Sequence, residues 1–142
     1  MIFKRLWWTI RLCMIGDSMK RADYARASGI YGFVGKQVSI MPRIVPLYSE
    51  LIKINDNVII ASNVTFLTHD AINYMLNNCA GVQKKFKERI GCIEIGKNSF
   101  IGGGSTILYD VKIGENVIVG ADSFVNHDLP SNVYMQDVQQ EK

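Results

Sequence analysis

The chain has 142 residues, 48% of them hydrophobic and 20% charged, which suits one globular domain and excludes an intrinsically disordered chain. Its formal net charge of +3 is too small and too scattered for a nucleic-acid binder, and favours an anionic ligand only mildly. Cys13, Cys79 and Cys92 are odd in number and match no zinc spacing, so reduced thiols in a cytoplasmic protein are expected, with no metal.

Residues 1–29 are predicted to form an N-terminal helical segment. The opening run, M-I-F-K-R-L-W-W-T-I-R-L-C-M-I, is interrupted by Arg11 and followed by no small-residue cleavage site. It is also far shorter than the roughly 20 residues that cross a bilayer. Phe3, Trp7, Ile10 and Met14 recur at helical spacing, with Lys4, Arg5 and Arg11 as the cations of an amphipathic helix. Packing on the domain or on a neighbouring subunit is the favoured role. The second role is a peripheral contact with the inner face of a membrane through Trp7, Trp8 and the cations.

Residues 30–127 carry a six-residue period. A short run sets Val34 and Ile40 six apart, with Val38 between them. Ile54, Ile60 and Phe66 follow, with Val58 and Val64 at the fourth-following positions. The longest run is Ile95, Ile101, Ile107, Ile113, Val119 and Val125. Ser99, Ser105, Val111, Val117 and Ser123 stand four residues after the first five of these, and Gly96, Gly102, Gly114 and Gly120 directly follow four of the six. A period of six fits neither an amphipathic helix nor a hairpin meander. It fits a parallel β-solenoid in which each unit is one short strand and one corner, and three units make a triangular coil. The aliphatics point inward and stack coil on coil, so each coil buries its face only on its neighbours.

From Phe66 to Ile95 is 29 residues, not a multiple of six. The stretch at about 71–91 contains N-Y-M-L-N-N and K-K-F-K-E-R, and is predicted to project as a loop with a helical turn. Such excursions often lie on the binding side of a repeat protein. Residues 128–142 are predicted as a C-terminal tail.

The chain has two histidines, His69 and His127. His69 ends the string I-A-S-N-V-T-F-L-T-H-D, at the rim of the solenoid and just before the loop. A neutral imidazole there can take a proton from a hydroxyl or an amine. His127 is expected at the surface, at the end of the last coil.

The string Ile60-Ala61-Ser62-Asn63-Val64-Thr65, followed by Thr68-His69-Asp70, resembles the catalytic coil of the hexapeptide-repeat acyltransferases. The likeness is to the galactoside and maltose O-acetyltransferase branch and its capsule- and surface-polysaccharide relatives. It covers 54–70 and 93–127, where I-E-I-G-K-N-S-F-I-G-G-G-S-T-I is also typical of that family. The resemblance implies a left-handed parallel β-helix, a homotrimer with its sites between neighbouring solenoids, and acetyl transfer from acetyl-CoA to a sugar or polysaccharide-precursor hydroxyl. By it, His69 matches the general base, the backbone N–H groups near Gly103 face the thioester oxygen, and Ala121 contacts the pantetheine arm. Phe100 matches an aromatic beside the cofactor, or else packs in the core or an interface. Asp70 orients the acceptor or caps the turn, and Asn63 is a corner residue before it is an acceptor ligand.

The likeness departs at the C-terminus. Relatives end with a G-x-P-A-K-like segment near the nucleotide end of CoA. Here Asp128-Leu129-Pro130-Ser131-Asn132 is followed by V-Y-M-Q-D-V-Q-Q-E-K, with no glycine and no further proline. That difference bears on CoA affinity. It keeps a non-catalytic solenoid, serving as scaffold or binding module, as the alternative to an enzyme, and N-acetylation of an amino sugar uses the same base. A hexapeptide carbonic anhydrase needs three histidines on zinc, and this chain has two.

Overall fold

The computed structural model describes residues 2–79, 81, 83 and 85–135. Two helices open the chain, α1 (Ile2–Met14) and α2 (Ser18–Ala27). Asp17 caps α2 by accepting the Lys20 N–H at 2.8 Å. Arg21 anchors α2 to the solenoid. Its buried guanidinium donates to the carbonyls of Ile40 (2.8 Å), Ile15 (2.6 Å) and Gly16 (3.0 Å), so its charge is met by backbone dipoles.

Among the described residues, twelve short strands then wind into a three-sided parallel helix. Sheet A stacks β1 (Phe33–Val34), β3 (Ile52–Ile54), β6 (Ile93–Ile95) and β9 (Val111–Ile113). Sheet B stacks β2 (Ser39–Ile40), β4 (Val58–Ile60), β7 (Ser99–Ile101), β10 (Ile118–Val119) and β12 (Tyr134–Met135). Sheet C stacks β5 (Thr65–Leu67), β8 (Thr106–Leu108) and β11 (Phe124–Val125). The register places like on like. Ile54 pairs with Ile95 and Ile95 with Ile113; Ile60 pairs with Ile101 and Ile101 with Val119; Phe66 pairs with Ile107 and Ile107 with Val125. These side chains are buried, and each isoleucine so removed from water contributes about 1.5–3 kcal/mol. The expected inward stacking of the six-residue aliphatics is the core of the molecule. The early run is real as well, since Val34, Val38 and Ile40 are buried in the first coil.

The corners are made by residues in left-handed backbone geometry, and most of these are asparagine or aspartate. At the corner joining sheet A to sheet B, Asn57, Asn98, Asn116 and Asn132 all have φ between 54° and 64°. Their side-chain amides form a ladder, Asn57 to Asn98 (3.0 Å), Asn98 to Asn116 (3.1 Å) and Asn116 to Asn132 (2.8 Å). Asn and Asp tolerate this region better than other non-glycine residues. The neighbouring glycines serve close approach instead. A Cβ on Gly96 would lie 2.2 Å from the Gly114 carbonyl oxygen of the next coil.

Two features differ from the sequence expectations. First, α1 packs on the solenoid through Trp8 and the buried Leu12, with Thr9 Oγ1 accepting the Val45 N–H at 3.2 Å. The stripe of Phe3, Trp7, Ile10 and Met14 faces outward instead, because α1 is apolar on two sides and the first coil takes the other one. Second, the coil runs on past residue 127. Asp128 Oδ1 accepts the Lys112 N–H at 2.8 Å, Leu129 is buried against the bridge to Ile113, and β12 pairs with β10. Residues 136–142, the rest of the expected tail, lie outside the described residues. Where the sequence predicts a projecting loop with a helical turn, the loop has a short helix, α3 (Ile72–Asn77), with none of its residues buried.

Candidate functional site

His69 is held by its backbone, two residues after β5. Thr68, just before it, is buried, and its hydroxyl donates to the Leu47 carbonyl. His69 forms an antiparallel bridge with Ile90, flanked by Asp70 N–H to the Arg89 carbonyl (3.1 Å) and Gly91 N–H to the Thr68 carbonyl (2.9 Å). The two ends of the loop are therefore zipped together at the histidine. Farther out, Asn77 and Phe86 exchange two hydrogen bonds, the Asn77 amide to the Phe86 carbonyl (2.9 Å) and the Phe86 N–H back to Asn77 Oδ1 (2.7 Å).

The imidazole stands edge-on to the Tyr48 ring, with centroids 5.6 Å apart and planes at 80°. Its Nδ1 is buried and has no hydrogen-bond partner among the described residues. Tyr48 is itself tied to the loop by its hydroxyl, which donates to Glu88 at 3.2 Å; burial first, then Glu88, pushes that hydroxyl's pKa up.

His69 borders a cavity of about 1030 Å³ between the helices, the segment 41–47 and the outer side of β5. Arg5, Arg21 and Arg43 line it together with Ser62 and Asn63, and among the described residues no carboxylate does. Asn63 has φ 60° and is a corner residue that also reaches this cavity. Asp70 does not line it. One of its oxygens accepts the Ile72 N–H (3.2 Å) at the start of α3, and the other accepts the Tyr109 hydroxyl at 2.5 Å. The Tyr109 bond holds the Asp70 carboxyl below the usual range, against a smaller opposing effect of burial, and the same bond pushes Tyr109 up. Arg89 lies over the Tyr109 ring at 4.8 Å and pairs with Asp110 at 3.6 Å.

Gly103 and Ala121 lie elsewhere on the same protomer. They occupy the corner joining sheet B to sheet C, stacked below Ser62, with the Gly104 N–H donating to Ser62 O (3.0 Å) and the Asp122 N–H to Gly103 O (2.8 Å). The Gly103 N–H itself has no acceptor among the described residues. Phe100 points outward from sheet B and is half-exposed. The width of sheet C separates this corner from His69, roughly 15 Å at strand rise. One protomer thus brings His69 and Asn63 to one cavity, stacks Gly103 and Ala121 on the corner below Ser62 and Asn63, and leaves Phe100 on the outer side of sheet B. His127 is exposed, with Asn126 Oδ1 2.9 Å from its ring nitrogen Nδ1. Among the described residues, no group of three or more His, Cys, Asp or Glu side chains could hold a metal ion.

Sequence reasoning missed Tyr48 and Tyr109. Tyr109 sits one coil below the Thr68–His69 corner, because Leu67 pairs with Leu108. Only the register across the loop reveals that adjacency.

Residues 92–127 match the family model described as bacterial transferase hexapeptide (six repeats). The chain is 34% identical over 104 residues to the "Putative acetyltransferase YvoF" of Bacillus subtilis (strain 168), an alignment covering 72% of this chain and 54% of that one. The chain therefore spans about half the length of that curated relative. Among solved structures, a maltose O-acetyltransferase from Clostridium difficile 630 superimposes with a TM-score of 0.62 at 28% identity, covering 95% of this chain and 82% of that one. The hexapeptide-repeat acetyltransferase VCA0836 of Vibrio cholerae, solved with acetyl coenzyme A, superimposes with a TM-score of 0.67 at 20% identity, covering 94% and 80%. These likenesses carry the hand of the coil, which is left. On the repeat, the fold and these relatives together, residues 92–127 carry the repeat of the bacterial hexapeptide transferases, and the chain is similar to such transferases over most of its length.

Proposed function

We propose that the protein transfers an acetyl group from acetyl-CoA to a hydroxyl of a sugar or surface-polysaccharide precursor. The observation that carries this reading is His69, fixed by its backbone bridge at the edge of a carboxylate-free cavity. With no carboxylate lining the cavity among the described residues, no anion there competes with the imidazole for the acceptor's proton. His69 takes that proton as the acceptor oxygen attacks the thioester carbonyl carbon. The tetrahedral oxyanion collapses, the C–S bond breaks, and the leaving thiolate recovers the proton from the imidazolium.

The bare corner at Gly103 suits the other half of the reaction. Its N–H is free of acceptors among the described residues, and Ser62 and Ala121 beside it are small, so a pantetheine arm can lie against the backbone. His69 and this corner lie on different edges of one protomer. The site therefore assembles between neighbouring copies, in a homotrimer acting in the cytoplasm, and catalysis draws on holding two substrates across that interface.

Titration calorimetry with acetyl-CoA tests the donor, and release of free thiol with a panel of sugars tests the acceptor. Expected are saturable micromolar binding, about −8 kcal/mol, and an acetylated sugar. His69→Ala should lower kcat by about 10²–10⁴-fold while leaving acetyl-CoA affinity nearly intact. A folded, assembled protein that binds no acetyl-CoA at millimolar concentration would instead be a scaffold.

A further inference from the structure

Helix α1 has two apolar faces, and the fold uses one of them. At 3.6 residues per turn, Phe3, Leu6, Trp7, Ile10 and Met14 span an arc of about 100°. Trp8 and Leu12, which pack on the solenoid, lie about half a turn away. The five outward side chains are between 46% and 87% exposed. A helix on the surface of a water-soluble domain normally turns its polar side outward, and a contiguous apolar face of this size marks a contact.

Charge selects the occupant. The sequence of α1 contains no acidic residue, and Lys4 and Arg11 fall together on one border of the outward face. Both stand over aromatic rings, Lys4 at 4.6 Å from Trp8 and Arg11 at 6.0 Å from Trp7. An apolar face with tryptophan at its edge and cations along its border is the arrangement of a helix lying in a lipid interface, where the cations reach the headgroups. A second copy of α1 laid against this face would bring like charges together. No helix among the described residues is long and apolar enough to cross a membrane, so the contact is lateral.

We infer that α1 docks flat on an anionic lipid surface, burying Phe3, Leu6, Trp7, Ile10 and Met14 with Lys4 and Arg11 at the headgroups. Arg5 of the same helix lines the His69 cavity, so docking carries that cavity to the membrane. This inference stands independently of the acetyl-transfer reading.

Trp7 and Trp8 are the two tryptophans of the chain, so its tryptophan emission reports on α1 alone. The full chain would be sedimented with phosphatidylcholine vesicles and with vesicles that also contain phosphatidylglycerol. Expected are binding to the anionic vesicles, a blue shift of the emission, and weakening by salt. The double variant Phe3→Ser, Trp7→Ser should bind at least about tenfold more weakly, with circular dichroism and oligomeric mass unchanged. Three results would overturn the inference: no binding to anionic vesicles at low salt, equal binding by the variant, or a change of oligomeric mass in the variant where the wild type binds no vesicle. The last would assign the face to a second copy.

Discussion

Sheets A and B have nearly the same inner surface and opposite outer ones. Inside, Ile54, Ile95 and Ile113 on sheet A match Ile60, Ile101 and Val119 on sheet B. Outside, sheet A presents Phe33 in its first coil and then Lys53, Glu94 and Lys112, the last two paired at 3.8 Å. Sheet B presents Ile59, Phe100, Ile118 and Tyr134, paired in one column and exposed. The stacking of coils is satisfied by the inner residues alone, so the outer row is free to record what covers each face. From its second coil on, sheet A is dressed for water. Sheet B is dressed for a protein surface, which fits the assembly proposed above.

The largest expected effect breaks this comparison directly. Phe100→Asp with Ile118→Asp should separate the copies, so that sedimentation finds single protomers with intact circular dichroism. Lys53→Asp with Lys112→Asp on sheet A should leave the mass unchanged. Equal loss of assembly from both pairs would mean that sheet B holds no special contact. A smaller effect sharpens the comparison at the corner where the two sheets meet. Gly96→Ala pushes a methyl into the Gly114 backbone of the next coil and should cost about 1–3 kcal/mol in denaturant unfolding. Gly16→Ala, with open space around its Cβ position, should stay within about 0.5 kcal/mol. Similar losses at both glycines would remove close coil approach as the reason for Gly96.

Much of this was legible in the sequence. The inward columns follow from the period, and the outward rows can be read one residue before each inward aliphatic: Lys53, Glu94 and Lys112 against Ile59, Phe100 and Ile118. The corner asparagines carry a signal as well, of which the sequence reading used Asn63 alone: Asn57, Asn63, Asn98, Asn116 and Asn132 each directly precede an inward-side valine or serine. His69 is singled out by the resemblance of its coil, and its place at the rim agrees with that. Tyr48 and Tyr109 are not singled out, because their adjacency to His69 and Asp70 depends on the register across the loop. The facing of α1 was not legible either. Periodicity finds the longer apolar stripe, whereas the first coil selects the shorter one with Trp8 and Leu12. The split between His69 and the Gly103 corner is invisible to any pattern search, because sequence spacing does not say which edge of a triangular coil a residue occupies.

The smallest effect tests the polar corner beside sheet A. Tyr109 donates to Asp70 at 2.5 Å, and this bond is the first cause of both the lowered Asp70 carboxyl and the raised Tyr109 hydroxyl. In the unfolded chain these groups titrate near ~3.9 and ~10. The stabilisation from the lowered carboxyl is fully present above about pH 4 and is lost as pH falls through the folded-state value. The stabilisation from the raised hydroxyl is fully present below about pH 10 and is lost as pH rises through its folded-state value. Tyr109→Phe removes the bond and keeps the ring under Arg89. Melting temperatures of the two proteins should therefore differ by a constant amount across neutral pH and converge at both extremes. A difference that stays flat from acid to alkali would assign Tyr109's contribution to its stacking with Arg89, and Asp70 would then only accept the Ile72 N–H at the start of α3.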